Sequence, residues 1–216
     1  MISSYDVSLV ATNPSFRPLS NFDSDWIKHE FNVLVRVDDE KEVVAGQLLV
    51  YKLNVGNVIR QKRSLFDAFD CFSQEAYDCY VKVFDDNEEV RKAFQDERCG
   101  LCDALTDDFH LLSMIEIDEA FKGNSLAGIA IQIYLENFAN GSDVAYFKAF
   151  PLQFGKEEDC PRSRRFNGDF ESCEAKLCAY YQSLGFRRIG KTTDFFFVVD
   201  DFLEKRKEMH EMSDEA

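Results

Sequence analysis

The chain is short of the residues that build several kinds of protein. It has four prolines and ten glycines in 216 residues, so collagen-like and low-complexity architectures are excluded. It has no run of the ~18 continuous apolar residues that a membrane-spanning helix needs. Its N-terminus, Met1-Ile2-Ser3-Ser4-Tyr5-Asp6, has neither the basic start nor the apolar stretch of a secretory signal. The expectation is a soluble, cytoplasmic protein with no membrane partner. Positive charge is also scarce: 25 basic residues face 40 acidic ones, for a net charge of −15. Such a field repels a polyanion and attracts a cation. It therefore predicts a cationic amine or a basic protein or peptide as partner, and no nucleic acid. An acidic surface that only maintains solubility fits the same numbers.

Metal-binding patterns are sparse as well. The seven cysteines are odd in number and scattered, which suits reduced thiols rather than a disulfide framework. Cys99 and Cys102 have the spacing of half a zinc site. No second Cys-x-x-Cys or His-x-His follows, and Cys160 and His110 would have to be recruited by folding. No metal is assigned.

Apolar residues, by contrast, are plentiful, at 45% with 21 phenylalanines. That is enough for one well-filled core. After an irregular arm over residues 1–28, with a short strand at Val7–Ala11, Phe31, Val33, Val35 and Val37 alternate over Glu30–Val37. This is a strand signature. Val43–Val55 reads as its hairpin partner, across a charged turn. The period then changes to that of helices. Leu65, Phe66, Phe69 and Phe72 form one set, with the phenylalanines read as core. Ala76, Tyr80, Val83 and Phe84 form the next, with Ser73 as its N-cap. Asn87–Glu97 suggests a third short helix.

Phe109–Ile117 reads as a buried strand, followed by a loop and an apolar helix at Leu126–Ala139 that must be packed on several sides. Val144–Phe150 is the next strand, so the order is that of a β–loop–α–β crossover. A charged loop at 155–169 leads to a helix at Phe170–Leu184 closed by Gly185. Two strands, Phe186–Ile189 and Asp194–Val199, and a charged tail complete the chain.

The turn Lys122-Gly123-Asn124-Ser125-Leu126-Ala127 lies between a strand and a buried helix. Small residues there let a phosphate approach the free N–H groups of the first helical turn, and Lys122 adds a positive charge. Together with Tyr180-Tyr181-Gln182-Ser183-Leu184-Gly185-Phe186, this turn resembles the two signatures of the GNAT N-acetyltransferases. Those read Gln/Arg-x-x-Gly-x-Gly/Ala and Phe-Tyr-x-x-Leu-Gly-Phe. Lys122 stands where the family has Arg or Gln, and Ser125 where it has Gly. The resemblance covers 109–199. It implies one α/β (α+β) domain over 1–216, with 56–107 an atypical helical segment. The central sheet would be mixed and mainly antiparallel, flanked by helices, with one splayed parallel strand pair.

The resemblance also implies acetyl transfer from acetyl-CoA to a primary amine, on a small cationic molecule or on a protein. The cofactor would lie along Ile115, Ile117, Lys122, Gly123, Asn124, Ser125, Leu126 and Ala127. Tyr181 matches the family's general acid, and a phenol of pKa ~10 can protonate a thiolate of pKa ~8.5. His110 and Glu116 are candidate bases; they have the same parity, which puts them on one face of an unbulged strand. The helices of 56–107 either cover an acceptor site or make a homodimer surface. A non-catalytic, acidic binding protein on the same fold is the competing expectation.

Overall fold

A computed structural model describes residues 6–12, 25–37, 41–91, 107–151 and 169–214. Cys99, Cys102, Cys160 and most of the loop at 155–169 lie outside them. Six strands form one sheet in sequential order: β1 (Asp6–Ala11), β2 (Trp26–Val37), β3 (Lys41–Leu53), β4 (Phe109–Ile117), β5 (Val144–Lys148) and β6 (Asp194–Val198). Every neighbouring pair is antiparallel except β4 and β5. The mixed, mainly antiparallel sheet expected from the sequence is thus present.

Helices cover both faces. On one lie α1 (Val55–Arg60), α2 (Leu65–Asp70) and α3 (Gln74–Val83); on the other lie α4 (Leu126–Phe138), α5 (Phe170–Ser183) and α6 (Val199–Asp214). The first core joins Leu53, Val58, Phe69, Val83 and Phe109, with Trp26 stacked on Phe72 at 4.4 Å and donating its indole N–H to the Ala68 carbonyl. The second joins Phe31, Val33, Leu48 and Val50 to Ile131, Tyr134, Phe147, Phe195 and Phe202. The alternation of Phe31, Val33 and Val35 does what period 2 requires, since all three are buried. Ser73 caps α3 by accepting from the Ala76 N–H.

Several boundaries differ from the sequence reading. Trp26 to Lys28 belong to β2 rather than to an irregular arm. Val55 opens α1 instead of ending β3. No helix starts at Asn87. Asp85 accepts from the N–H groups of Asn87 and Glu89, and Phe84 bridges Val90 across the turn. Asp and Asn favour such side-chain-closed turns over helix, which the apolar spacing does not reveal. Among the described residues Phe186–Ile189 makes one bridge, Arg188 to Phe195, rather than a strand. Phe66 is exposed, whereas Phe69 is fully buried.

Two irregularities in β4 position everything that follows. Its pairing with β5 is confined to Phe109–Leu111 against Val144–Tyr146. Beyond Leu111 the two strands part. On its other edge β4 stays paired with β3 to its end, but the register slips: Val50 faces Leu112 while Leu49 faces Met114. Ser113 is therefore the extra residue of a β-bulge. Gly46 holds the far end of this ladder against β4, and a Cβ at that position would drive into the Glu116 carbonyl. We expect Gly46→Ala to cost about 1–3 kcal/mol through forced backbone displacement. Urea melts of the two proteins measure this, and equal midpoints would show that the β3–β4 end is looser than described.

Candidate functional site

The parting of β4 and β5 opens a cleft of about 490 Å³ on the α4–α5 side of the sheet. That size falls within the range of small-molecule sites. It is lined by Ile115, Glu116 and Ile117 from β4, by Lys122, Gly123, Ser125, Leu126 and Ala127 at the start of α4, and by Lys176, Tyr180 and Tyr181 of α5. Two of the sequence-assigned residues are not among the lining. Asn124 folds back, its amide donating to the Phe121 carbonyl at 3.0 Å. His110 lies at the paired end of β4, fully buried.

The bulge explains the displacement of one candidate from the other. His110 and Leu112 face α4. After the extra residue, Ile115 and Ile117 face it too, as their packing shows. Glu116 is thereby turned to the face shared by Phe109, Leu111 and Ser113. The equal parity of His110 and Glu116 in the sequence is undone by a single inserted residue, so the pair does not share a face.

His110 belongs instead to a buried polar chain. Its Nε2 lies 3.0 Å from Asp143 Oδ2, its Nδ1 3.0 Å from the Tyr134 hydroxyl, and that hydroxyl 3.0 Å from His29 Nδ1. With Asp143 ionised and both imidazoles neutral, every contact has one donor. His29 donates to Tyr134, Tyr134 to His110, and His110 to Asp143. Burial lowers the His110 pKa and Lys52 adds to the effect, while Asp143 opposes it. Burial, His110 and Lys52 bring His29 down to about 4. The chain ties β2, α4, β4 and the α4–β5 turn together and does not open on the cleft.

The signature around Tyr181 has a local physical basis. Gly185 (φ 93°) donates to the Gln182 carbonyl and Phe186 to the Tyr181 carbonyl, the paired bonds of a Schellman ending. The ring of Phe186 packs on that of Tyr181 at 5.8 Å, the apolar contact that accompanies such endings. Leu-Gly-Phe thus fixes the last turn of α5 and with it the Tyr181 ring, which Phe147 and Phe195 also hold. Burial raises the Tyr181 pKa well above its ordinary value, and Tyr180 and Cys178 act in the same direction. The phenol is therefore fully protonated at neutral pH. The neighbouring Tyr180 hydroxyl accepts weakly from the Gly128 N–H of α4 at 3.4 Å.

At the other bank, Ser125 is the N-cap of α4 with φ 57° and makes no side-chain capping bond. This is the left-handed region that glycine occupies without strain. The loop therefore holds a glycine conformation with a serine in it.

Sequence reasoning missed Glu75. It stands in the first turn of α3, and the hydroxyl of the bulged Ser113 donates to its Oε2 at 2.8 Å. Burial raises its pKa; Asp78 adds to this, and Ser113 and Lys148 oppose it. A bulge in a strand more than thirty residues away leaves no local sequence signal, so nothing in the helical pattern marks this carboxylate. Among the described residues no cluster of His, Cys, Asp and Glu is arranged to hold a metal, and no helix is long and apolar enough to cross a membrane.

No protein-family model and no curated protein matches the chain. Among solved structures it is similar, at 9% identity and a TM-score of 0.41, to one described as "The crystal structure of KacTA-DNA complex", over 95% of this chain and 99% of that one. The exclusion of nucleic acid drawn from net charge is withdrawn. So are the other partner assignments that rested on charge, since an average over the chain does not fix the potential over any one face. A likeness at this TM-score carries no argument about what this chain binds.

Two predictions follow from the site's geometry. Ser125→Gly should stabilise the protein by about 1 kcal/mol, since it relieves the left-handed strain and loses no cap bond. A urea melt reads this, and a destabilised variant would place Ser125 in an unstrained conformation. The second concerns acid. His29 titrates at 6.5 when unfolded and at about 4 when folded. Below 6.5 the unfolded chain takes up the proton first, so stability falls as pH drops from about 6.5 to about 4. The loss from His29 alone should be on the order of 1–2 kcal/mol, since solvent screens part of the shift. His29→Leu should flatten the urea-midpoint profile in that window; an unchanged slope would contradict a neutral buried chain.

Proposed function

We propose that this chain is a GNAT-type N-acetyltransferase that moves an acetyl group from acetyl-CoA to a primary amine by direct attack. One observation carries the reading. A single cleft joins the start of α4, the stretch of β4 beyond its pairing with β5, and the Tyr181 ring. Those are the three parts that a long, phosphate-headed thioester needs in that order.

The residues fit such a ligand. At one end, Lys122 and the first N–H groups of α4 suit phosphate oxygens. Of those N–H groups, Ile129's is already bonded to the Ser125 carbonyl, and Gly128's reaches only the Tyr180 hydroxyl. Leu126 and Ala127 are left to meet the anion. In the middle, the β4 edge at Ile115–Ile117 offers backbone groups to the amide-bearing arm. Leu126, Phe150, Leu177 and the Tyr180 ring give that arm apolar walls. At the inner end, Tyr181 holds a proton for the departing thiolate. Burial raises the phenol, but it raises a thiol in the same place too, so the two remain matched more closely than their absolute values suggest.

A non-catalytic chain on the same fold is the second reading. The serine at a glycine-like φ, next to where phosphate would approach, favours it. Calorimetry with acetyl-CoA, followed by thiol release in the presence of primary amines, separates the two. We expect binding, and turnover that Tyr181→Phe lowers about 100-fold with little change in affinity. No heat at millimolar acetyl-CoA would overturn the reading. Binding without transfer would leave the non-catalytic form.

A further inference from the structure

Where β4 and β5 part, a gap of about 40 Å³ runs between them. It adjoins the main cleft, since Ile115, Phe150 and Tyr181 line both. Its lining draws on residues of both faces of the sheet. Phe147 and Tyr181 border it on the α4–α5 face, and Ser113 and Lys148 belong to the α3 face. Lys148 pairs with Asp194, which is gripped from α3 by Lys82 at 2.9 and 3.0 Å, so that assignment rests on contacts. A ligand reaching the inner end of the main cleft would thus meet a gap that Ser113 also lines. Behind Ser113 stands Glu75.

We infer that Ser113 contacts the attacking amine and that Glu75 accepts its proton through the Ser113 hydroxyl. This rests on the acetyltransferase reading above and names the base that the reading left open. Glu75 is a positioning and proton-accepting residue behind Ser113. It takes the role assigned from the sequence to His110, which is locked in the Asp143–Tyr134 chain, and to Glu116.

The step balances. An ammonium beside Ser113 gives one N–H proton to Ser113 Oγ as the serine's own proton passes to Glu75 Oε2. The ammonium becomes a neutral amine and the carboxylate a carboxylic acid. The nitrogen lone pair then forms the C–N bond while the C–S bond breaks. The Tyr181 hydroxyl gives its proton to the departing sulfur and recovers one from the nitrogen, which leaves an amide, a thiol and a protonated Glu75 that returns its proton to solvent. Base and acid thereby act from opposite faces of the sheet and do not neutralise one another.

Glu75 is placed for this. The groups around it are Asp78 and Cys79 on α3, Tyr51 on β3, Ser113 on β4, and Tyr146 and Lys148 on β5. Burial outweighs the cations and hydrogen bonds, so its proton affinity lies above that of a free carboxylate, as a base operating near neutrality requires.

The test uses the full chain with acetyl-CoA and a panel of benzylamine, spermidine and a lysine-bearing peptide, with thiol release followed between about pH 5 and 9. For wild type we expect kcat/KM to fall on the acid side through a pKa above 4.5. Glu75→Gln should lower kcat/KM about 100-fold and remove that limb. Glu75→Asp should keep the limb and recover part of the rate. Ser113→Ala should lower the rate while calorimetric acetyl-CoA affinity stays unchanged. A wild-type enzyme whose rate and pH profile survive Glu75→Gln overturns the inference and leaves the acetyltransferase reading intact. Equal losses in Glu75→Gln and Glu75→Asp with the acid limb retained also overturn it, since that is the signature of a structural role. A wild-type protein that acetylates none of the amines overturns both.

Discussion

The edge of β4 beyond Leu111 is the constraint on which the rest of this structure turns. Buried backbone N–H and C=O groups need partners, and a strand in mid-sheet ordinarily finds them on both sides. Here β3 supplies one side along the whole strand, from Phe109 to Ile117, while β5 supplies the other for three residues only. Pairing at the start of β4 holds the crossover closed. Beyond that pairing, Ile115–Ile117 border a cleft whose other walls include Leu126, Phe150 and Leu177 together with Lys122 and Lys176. Such an edge is satisfied by solvent or by an extended ligand that pairs with it as a strand would. The first turn of α4 and the last turns of α5 both border the opening, and they touch where the Gly128 N–H meets the Tyr180 hydroxyl.

The closed end of β4 is held by charge arranged to cost little. Asp143 lies 1% exposed, yet its carboxylate meets His110, the Asn140 and Asp108 N–H groups and, at 3.8 Å, Lys52. Burial alone would raise its pKa; His110, the Asn140 N–H and Lys52 outweigh that and hold it low. On the other face Asp194 repeats the arrangement. The Tyr146 hydroxyl donates to it at 2.6 Å, and with Lys82 it outweighs the burial that would raise the carboxyl. A half-satisfied buried network is worse than none, because the unpaired member carries its full desolvation penalty. These two are filled, and both lie at β5, the strand that must be anchored if β4 is to part from it in one place only.

What could be read from the sequence was whatever has a short period or a short span. Phe31, Val33 and Val35 alternate, and they are buried. Leu184, Gly185 and Phe186 close a helix through bonds that span five residues, so the signature and its structure coincide. What escaped was non-local. The bulge at Ser113 adds nothing that composition or period registers, yet it reverses which residues of β4 share a face. It therefore undid the pairing of His110 with Glu116 and concealed the meeting of Ser113 with Glu75. Phe66 and Phe69 are alike in sequence and differ only in which side of α2 the sheet occupies. Net charge failed as a guide to partners for a related reason, since a sum has no position.

Ser125 shows how loop shape and loop sequence come apart. A non-glycine residue in the left-handed region costs roughly 1–2 kcal/mol. It persists only where its surroundings over-determine it. Those surroundings can be named. The Ser125 carbonyl is already committed to the Ile129 N–H, Leu126 is buried at 2% exposure, and Asn124 is bonded back to the turn before it. Helix α4, packed on several sides, sets where its first turn begins, and β4 sets where the strand ends. The residues between must close that distance, and Ser125 does so at φ 57°. The serine yields to the geometry rather than setting it. The conformation at the mouth of α4 is thus a property of the strand–helix crossover.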